Sequence, residues 1–318
     1  MDAYIGFDTS CYTTSVAVVD SEGRLVSDHR RGLTVKKGGR GLRQSEGVFQ
    51  HIKNLGGLSR SGDCFTVGLN PAAVAASAKP RPVEGSYMPV FTVGENTARI
   101  AAAVAGVPFF ATTHQENHLM AGLWSAGGPP SMRFLTVHLS GGTTELLDTV
   151  REGAEFGVKI VGGTKDISAG QFVDRVGVAM GLPFPCGPYL EKLADGAVNT
   201  AQPMSLQCFT EGADISFSGP ETAATRLLES GGDKASIALG VFTCIARGLG
   251  RIIDAACEQL GLQDVLLVGG VCCNRYIREY LEANLKNNLY FPKAKYCSDN
   301  AVGAALIALE KHREMKGI

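Results

Sequence analysis

The sequence predicts a two-lobed α/β protein with a central cleft. Three observations lead there. At 318 residues the chain exceeds what one hydrophobic core usually supports. The run of strands and helices breaks at Gly127-Gly128-Pro129-Pro130 and then restarts. A short motif also recurs near the start of each half. Ser10-Cys11-Tyr12-Thr13-Thr14 and Ser140-Gly141-Gly142-Thr143-Thr144 share the form S-x-x-T-T, and each stands between two apolar or β-branched runs.

The elements follow from local pattern. In the first half, Tyr4 onward is a strand, a polar turn and a second strand through Val19. Asp20 to Gly23 turns into a third strand at Leu25 to Asp28. Val48, Ile52 and Leu55 at helical spacing predict a helix over Arg43 to Leu55. Val74 to Ala78 is a short strand, ended by the proline-broken loop Lys79-Pro80-Arg81-Pro82. A helix from Glu95 to Ala105, a strand from Phe109 to Ala111 and a helix from His114 to Trp124 complete this half. After the break come strands at Arg133 to Leu139, Glu145 to Val150 and Phe156 to Val161. Helices follow near Ala169 to Met180, Pro188 to Leu193, Thr222 to Leu228 and Lys234 to Leu260. The buried strand Val265 to Val268 then runs into Gly269-Gly270, and helices at Tyr276 to Leu285 and Ala301 to Lys311 close the chain. A hairpin loop in each half, facing its counterpart across a cleft, is how the actin, hexokinase and sugar-kinase architecture grips nucleotide phosphates. The expected fold is therefore this actin-like (ASKHA) duplication of a ribonuclease H-like unit. The expected lobes are residues 1–130, completed by a C-terminal helix in 296–318, and a nucleotide-binding lobe over 131–295.

Composition narrows the function classes. Forty glycines against 45% hydrophobic and 19% charged residues fit neither a collagen repeat nor a flexible linker. They mark places where backbone turns sharply or something approaches closely. The formal net charge of -1 gives no global field for nucleic acid. A local basic run, including Lys36, Lys37, Arg40, Arg43, Lys53 and Arg60, is either a solvated face or a phosphate contact. The opening Met1-Asp2-Ala3-Tyr4 lacks a secretory pattern. The longest apolar stretches read as too short for a bilayer. Nine scattered cysteines without a CxxC read as reduced thiols. A cytoplasmic protein without a membrane partner is expected.

Several short motifs can carry chemistry. The turn Ser140-Gly141-Gly142-Thr143-Thr144 can present successive backbone N–H groups and hydroxyls to an anion, or it is an ordinary glycine hairpin. Val268-Gly269-Gly270 ends a buried strand, the position where open α/β sheets bind ligands. Asn274 beyond it is either a ligand contact or a helix N-cap. In His114-Gln115-Glu116-Asn117-His118 the histidines stand at i and i+4 on one helix face and can share a metal ion, or they face solvent. Glu116 falls at i+2 and points elsewhere, which argues against a zincin-type peptidase. Cys297-Ser298-Asp299-Asn300 precedes the last helix and reads locally as a cap cluster.

Taken together these segments resemble the TsaD family, the tRNA threonylcarbamoyladenosine synthase subunit once labelled O-sialoglycoprotein endopeptidase. Asp8-Thr9-Ser10-Cys11 is similar to its opening E-T-S-C, and His114 to His118 to its H-M-E-G-H. Leu139-Ser140-Gly141-Gly142 resembles V-S-G-G. Thr164, Asp166, Ala169, Gly170 and Asp174 keep the register of T-x-D-x-A-A-G-x-x-x-D. Pro185-Cys186-Gly187-Pro188, Phe217-Ser218-Gly219, Gly269-Gly270-Val271 with Asn274-Arg275, and Ser298-Asp299-Asn300 follow in the family's order. The resemblance implies one divalent metal ion, iron or zinc, on His114, His118 and Asp299. It implies ATP, ADP or the threonylcarbamoyl-adenylate against Leu139, Ser140, Gly141, Gly142, Asp174, Gly187, Gly270 and Asn274. Ser10 and Cys11 are the candidate catalytic side chains. The implied reaction moves the threonylcarbamoyl group to an adenosine of tRNA, with protein partners of the TsaB and TsaE kind. The chain departs from the pattern at Tyr12-Thr13, Lys79 to Gly85, Thr143, Gln171 and Pro220-Glu221. A divergent paralogue is expected. The alternatives are a weakened or re-purposed nucleotide-binding subunit of a complex, or a glycoprotein peptidase.

Overall fold

In the computed structural model residues 2–10, 12–35, 42–60, 68–197 and 204–317 are described. Cys11 and the basic residues Lys36, Lys37 and Arg40 lie outside them. The first half builds a five-stranded sheet in the order β3-β2-β1-β4-β5. Its strands are β1 (Asp2–Asp8), β2 (Thr13–Asp20), β3 (Leu25–Gly32), β4 (Asn70–Lys79) and β5 (Phe109–Thr113). The first three form an antiparallel meander, while β4 runs parallel to β1 and β5 parallel to β4. Three helices accompany this half: α1 (Gln44–Arg60), α2 (Phe91–Ala105) and α3 (His114–Ala126).

The second half repeats the plan. Its seven-stranded sheet has the order β12-β11-β6-β7-β8-β10-β9. Here β6 (Arg133–Leu139), β7 (Thr144–Glu152) and β8 (Glu155–Thr164) form the meander. The parallel strands are β11 (Asp264–Val268) and β12 (Asn288–Tyr290). Read from β8 to β12, the order β8-β7-β6-β11-β12 reproduces β3-β2-β1-β4-β5. The S-x-x-T-T echo therefore sits at the same hairpin in both units. A short hairpin, β9 (Phe209–Glu211) with β10 (Asp214–Ser216), extends the second sheet beyond β8.

Burial explains why these runs are strands. The residues of β1 after Asp2 and all of β11 are buried, the continuous apolar pattern of a strand covered on both faces. The strands that sequence pattern missed, β9, β10 and β12, span three residues each, too few for an alternation to register. Helix α1 begins one residue later than expected, and α2 begins four residues earlier, at Phe91.

Helices of the second half are α4 (Ala169–Ala179), α5 (Gly187–Asp195), α6 (Ser218–Glu229), α7 (Lys234–Leu260), α8 (Arg275–Asn284), α9 (Ala294–Cys297) and α10 (Val302–Lys316). Helix α7 is long and apolar enough to cross a membrane by length and composition, contrary to the expectation that no stretch would reach that limit. However, 83% of its apolar window is buried inside the protein, against β6 and the neighbouring helices. It is the central core helix.

The last helix positions the site. It packs on β1, β2, β4 and α3 through small residues, among them Ala304, Ala305 and Ala308. Two glycines allow this approach. A Cβ at Gly6 of β1 would lie 2.3 Å from the Ala301 carbonyl oxygen, and one at Gly303 would lie 2.0 Å from that of Asn117. The turn before α10, which carries Asp299, is thereby held against α3. The described cysteines are free thiols, most of them buried, where they pack as small apolar groups.

Candidate metal centre and nucleotide cleft

The site grows from the end of β5. Thr113 caps α3: its Oγ1 accepts from the Glu116 N–H at 3.1 Å, and Glu116 Oε2 accepts from the Thr113 N–H at 2.8 Å. This capping box fixes the first turn of α3. It also occupies Glu116, which points back to β5 and away from the histidines, as its i+2 position requires. His114 and His118 then share the inner face. His118 is buried and His114 nearly so, so neither is a solvated surface histidine.

Three donor atoms converge. His118 Nε2 lies 3.1 Å from His114 Nε2. Asp299 Oδ1 lies 3.4 Å from His118 Nε2 and 3.6 Å from His114 Nε2. His114, His118 and Asp299 are the only such group among the described residues. Two imidazole nitrogens and a carboxylate oxygen aimed at one point suit a divalent cation, since lone pairs so placed repel unless something positive lies between them. The residues present therefore fit a metal ion, and two imidazoles with one carboxylate suit zinc or iron.

Asp8 organises this cluster from behind, and sequence reasoning missed its role. It ends β1 and is fully buried. Its Oδ2 accepts from Ser77 Oγ at 2.6 Å and Asn117 Nδ2 at 3.0 Å, and meets His114 Nδ1 at 2.9 Å. Its Oδ1 accepts from the Ser10 N–H at 2.9 Å and from the Ser10 hydroxyl. A carboxylate on Nδ1 orients the ring and leaves Nε2 for the cluster. Burial alone would raise the Asp8 carboxyl, but the neighbouring His114 and the hydrogen bonds hold it well below the usual range. Burial works against the charged form of His114 too. The Asp8 charge and hydrogen bond, with Asp299 farther off, outweigh it and push His114 up to about 9. The charge at the end of the apolar run Tyr4 to Phe7 was the signal that could have found Asp8.

The Asp299 loop is fixed from both sides. Arg30 of β3, paired with Asp28 at 2.7 Å, donates to the Lys295 carbonyl at 2.5 Å and the Asp299 carbonyl at 3.5 Å. Asn300 Oδ1 accepts from the Val302 N–H at 2.9 Å, an Asx turn that leads into α10. Asn117 Oδ1 accepts from the Ala304 N–H at 2.8 Å. The cluster read from sequence as a cap is instead a turn before the helix, whose N-cap is Ala301 without a side-chain cap bond: Asn300 makes the turn, and Asp299 faces the histidines.

His114 and Asp299 line a cavity of about 580 Å³ together with Ser140, Gly141, Gly142 and Asp174. The glycine turn is held by its serine, whose Oγ accepts from the N–H groups of Thr143 at 3.1 Å and Gly142 at 3.4 Å. Nothing stands within 4 Å of where a Cβ would be at Gly141, Gly142, Gly187 or Gly270. Space there is open, as a cradle requires. Gly170 and Gly269 differ. A Cβ on Gly170 would lie 2.5 Å from Gly141 Cα, and one on Gly269 would lie 2.1 Å from the Leu139 carbonyl oxygen. These two glycines let backbone pack on backbone beneath the cradle. Leu139 is buried at the end of β6. Asp174 Oδ1 accepts from the Cys186 N–H at 2.7 Å, and burial raises its carboxyl from the ordinary value. Asn274 is buried, and its Oδ1 caps α8 by accepting from the Ile277 N–H at 3.0 Å. The Ser10 hydroxyl is committed to Asp8 and buried. Leu139, Gly187, Gly270 and Asn274 are outside the lining of this cavity. The cavity also holds His138 of β6, whose pKa lies well below its ordinary value, chiefly through burial and then through His118, His114 and Arg81.

Elements of the first half bound the mouth. Arg81, in the loop after β4, pairs with Glu145 of β7 at 2.8 Å. Tyr12 meets Phe184 edge-on with ring centres 6.0 Å apart. A second cavity of about 580 Å³, lined by Arg24, Trp124, Leu306 and Arg313 among others, lies away from the triad.

Two sheets of one topology, with the glycine turn, His114 and Asp299 lining one cavity, define a two-lobed actin-like protein. Solved structures agree at the level of fold. The activator of 2-hydroxyisocaproyl-CoA dehydratase from Clostridium difficile with bound ADPNP is similar, with a TM-score of 0.57 at 13% identity, over 99% of this chain and 97% of that one. A ROK family glucokinase from Streptomyces griseus in complex with glucose and AMPPNP has a TM-score of 0.53 at 14% identity, over 96% and 99% of the two chains. In sequence, the family model described as TsaD, tRNA N6-adenosine threonylcarbamoyltransferase, matches residues 69–306. A protein of that name from Thermus thermophilus is 32% identical over 97% of this chain and 93% of its own. The chain belongs to the TsaD family.

Proposed function

We propose that this chain is a metal-dependent transferase that moves a threonylcarbamoyl group from its adenylate to the adenosine amine of a tRNA. One observation carries the reading: His114, His118 and Asp299 converge on one point, and His114 and Asp299 line the same cavity as the glycine turn Ser140 to Gly142. His114, His118 and Asp299 would hold one iron or zinc ion, which when bound supplies Lewis acidity toward a phosphate or carbonyl oxygen. Family membership and the named relative support this activity over a merely regulatory subunit, and the position of Glu116 supports it over a zincin peptidase.

The chain's own residues do the positioning. The phosphate of the adenylate lies against Gly141 and Gly142, where a Cβ would obstruct it. The Thr143 and Gly142 N–H groups turn from Ser140 Oγ toward the incoming anion. The end of β6 at Leu139 sets the height of this turn. Asp174, Gly187, Gly270 and Asn274 accommodate the nucleoside, with the two glycines leaving room for a flat ring or ribose. Asp8 keeps the His114 ring oriented, and Ser10 serves by holding Asp8. Cys11 is the other candidate from that loop. Lobes of 1–130 with 296–318, and of 131–295, enclose the donor, and the tRNA enters from the mouth between Arg81 and Tyr12. Partners of the TsaB and TsaE kind and a cytoplasmic location complete the reading.

The test supplies the purified chain with a divalent metal, the threonylcarbamoyl-adenylate, an unmodified tRNA and partner proteins from a related system. Mass spectrometry of the digested tRNA should show the modified adenosine. Its absence, where an authentic family member gives product, would overturn the proposal.

A further inference from the structure

The adenylate accounts for one end of the cleft cavity only. Four of the lining residues, Gln171, Asp174, Arg175 and Val178, stand at i, i+3, i+4 and i+7 on one face of α4. At about 1.5 Å per residue that face runs roughly 12 Å from Gly170, beneath the glycine turn, to Val178. The loop after α4 folds back over this end. The Leu182 N–H donates to the Gly177 carbonyl at 2.9 Å, and the Cys186 N–H donates to Asp174 Oδ1 at 2.7 Å. Phe184 of this loop lines the cavity. Tyr12 enters from the other half, after β1. Its carbonyl accepts from the Leu33 N–H at 2.7 Å, which pins its backbone, yet the residue is 39% exposed. The two rings meet edge to face, with centres 6.0 Å apart and planes at 72°, and Tyr12 also lines the cavity. Arg175, on the cavity face of α4, is exposed and has no acidic partner among the described residues.

Two aromatic rings and an unpaired guanidinium are the parts that hold an unstacked base and its phosphate. Every base has a π face to lay on an aromatic ring, and a guanidinium fork matches phosphate oxygens. The donor's own base does not need them, because the residues that accommodate its nucleoside, Gly187, Gly270 and Asn274, lie outside this cavity's lining. We propose that Tyr12 and Phe184 receive the acceptor adenine, unstacked from a single-stranded loop of RNA, and that Arg175 meets the adjoining phosphate. This assignment rests on the transferase reading above and extends it to where the acceptor sits. It restricts the acceptor to a base free to leave its stack, so a continuous duplex is no substrate. An edge-to-face contact between loops of opposite halves also parts readily, so the same pair closes the mouth until a base comes between or beside the rings. Tyr12 is among the departures from the family pattern, which makes this contact a feature of the chain itself.

The test compares two labelled RNA hairpins of the tRNA loop sequence, one with the acceptor adenine and one with an abasic site in its place. Their affinities are read by fluorescence anisotropy without the donor and with the partner proteins of the transfer assay present. The wild type should bind the adenine hairpin about 5–100-fold more tightly, the range for one base on an aromatic ring, and this comparison needs no variant to fold. Tyr12→Ala and Phe184→Ala should lose most of that preference, while Tyr12→Phe keeps it. Adenylate affinity, measured by calorimetry, should stay within about twofold in Tyr12→Ala, as the outer end of the cavity requires. Arg175→Gln should weaken both hairpins alike and lower the slope of log K against log salt by about 0.7, one phosphate on a single strand. Equal affinities of the wild type for the two hairpins, or an undiminished preference in Tyr12→Ala, would overturn the assignment while leaving the transferase reading intact. A loss of adenylate affinity in Tyr12→Ala as large as the loss for the hairpin would place the pair in the donor site and overturn it too. An unchanged slope in Arg175→Gln would remove the phosphate contact. No binding of either hairpin, where an authentic family member binds the adenine one, would overturn the transferase reading and this assignment with it.

Discussion

Asp8→Asn tests whether the triad is oriented from behind. The substitution keeps the shape of the side chain and removes its charge. In the wild type that carboxylate is fully buried, receives Ser10, Ser77 and Asn117, and stands 2.9 Å from His114 Nδ1. Breaking a buried ion pair by neutralising one partner costs about 3–5 kcal/mol. A second route gives a similar figure. His114 is raised from 6.5 to about 9, and at about 1.36 kcal/mol per unit that corresponds to about 3 kcal/mol. Unfolding entropy near 2.1 cal/mol/K per residue, over 318 residues, converts 3 kcal/mol into a fall in Tm of about 5 °C. The assay is calorimetric unfolding of both metal-free proteins across a pH series. The sign follows from the raised value: the His114 contribution is fully present below 6.5 and is lost as pH rises through about 9. The gap between wild type and variant should therefore narrow over that interval. Metal affinity of the variant should fall about 10–100-fold, as for other supporting carboxylates. A Tm within a degree of wild type at neutral pH, with unchanged metal affinity, would refute the reasoning.

Other expectations concern the cradle and the first lobe. Gly170→Ala drives a methyl against the Gly141 backbone and the Ser140 carbonyl; it should cost about 1–3 kcal/mol in chemical denaturation and weaken adenylate binding in calorimetry. Gly141→Ala meets nothing within 4 Å, so it should leave Tm nearly unchanged yet weaken the same binding at least about tenfold, since a Cβ holds the phosphate off the backbone. Equal losses of stability in the two variants would remove the distinction between supporting and open glycines. His51 is buried against Thr14 Oγ1 at 2.8 Å and lowered to about 4, mainly by burial. Stability should therefore fall as pH drops from 6.5 toward 4, by up to about 3 kcal/mol from this group. His51→Gln should flatten that part of the pH–stability curve; an unchanged slope would contradict the assignment.

Much of the architecture was legible because it repeats. The proline-glycine break and the S-x-x-T-T echo are local signals: the break separates the two halves, and the echo marks equivalent hairpins of two sheets with one topology. Helical spacing alone put the two histidines on one face, and the family resemblance gave them the metal. The glycines were only partly legible: sequence located Gly141 and Gly170 together, but it cannot tell an open Cβ position from one blocked by backbone. That difference depends on α4 crossing beneath the turn. Asp8, Asn117 and His138 were missed for another reason. Each is a polar residue whose partner or cavity belongs to a distant part of the chain. Asp8 meets His114, Asn117 reaches the Asn300 carbonyl at 2.5 Å, and His138 faces the inner side of α3. A polar residue at the end of or within an apolar run was the local trace of Asp8 and His138, while Asn117 stood among the polar neighbours Gln115, Glu116 and His118.

The central claim is that one ion and one adenylate share the cleft between the glycine turn and the triad. Anomalous diffraction from crystals soaked with zinc and a non-hydrolysable adenylate tests it most directly. The account predicts an anomalous peak bounded by His114, His118 and Asp299, with adenylate density against Gly141 and Gly142. A metal peak elsewhere, or an adenylate bound away from that turn, would contradict it.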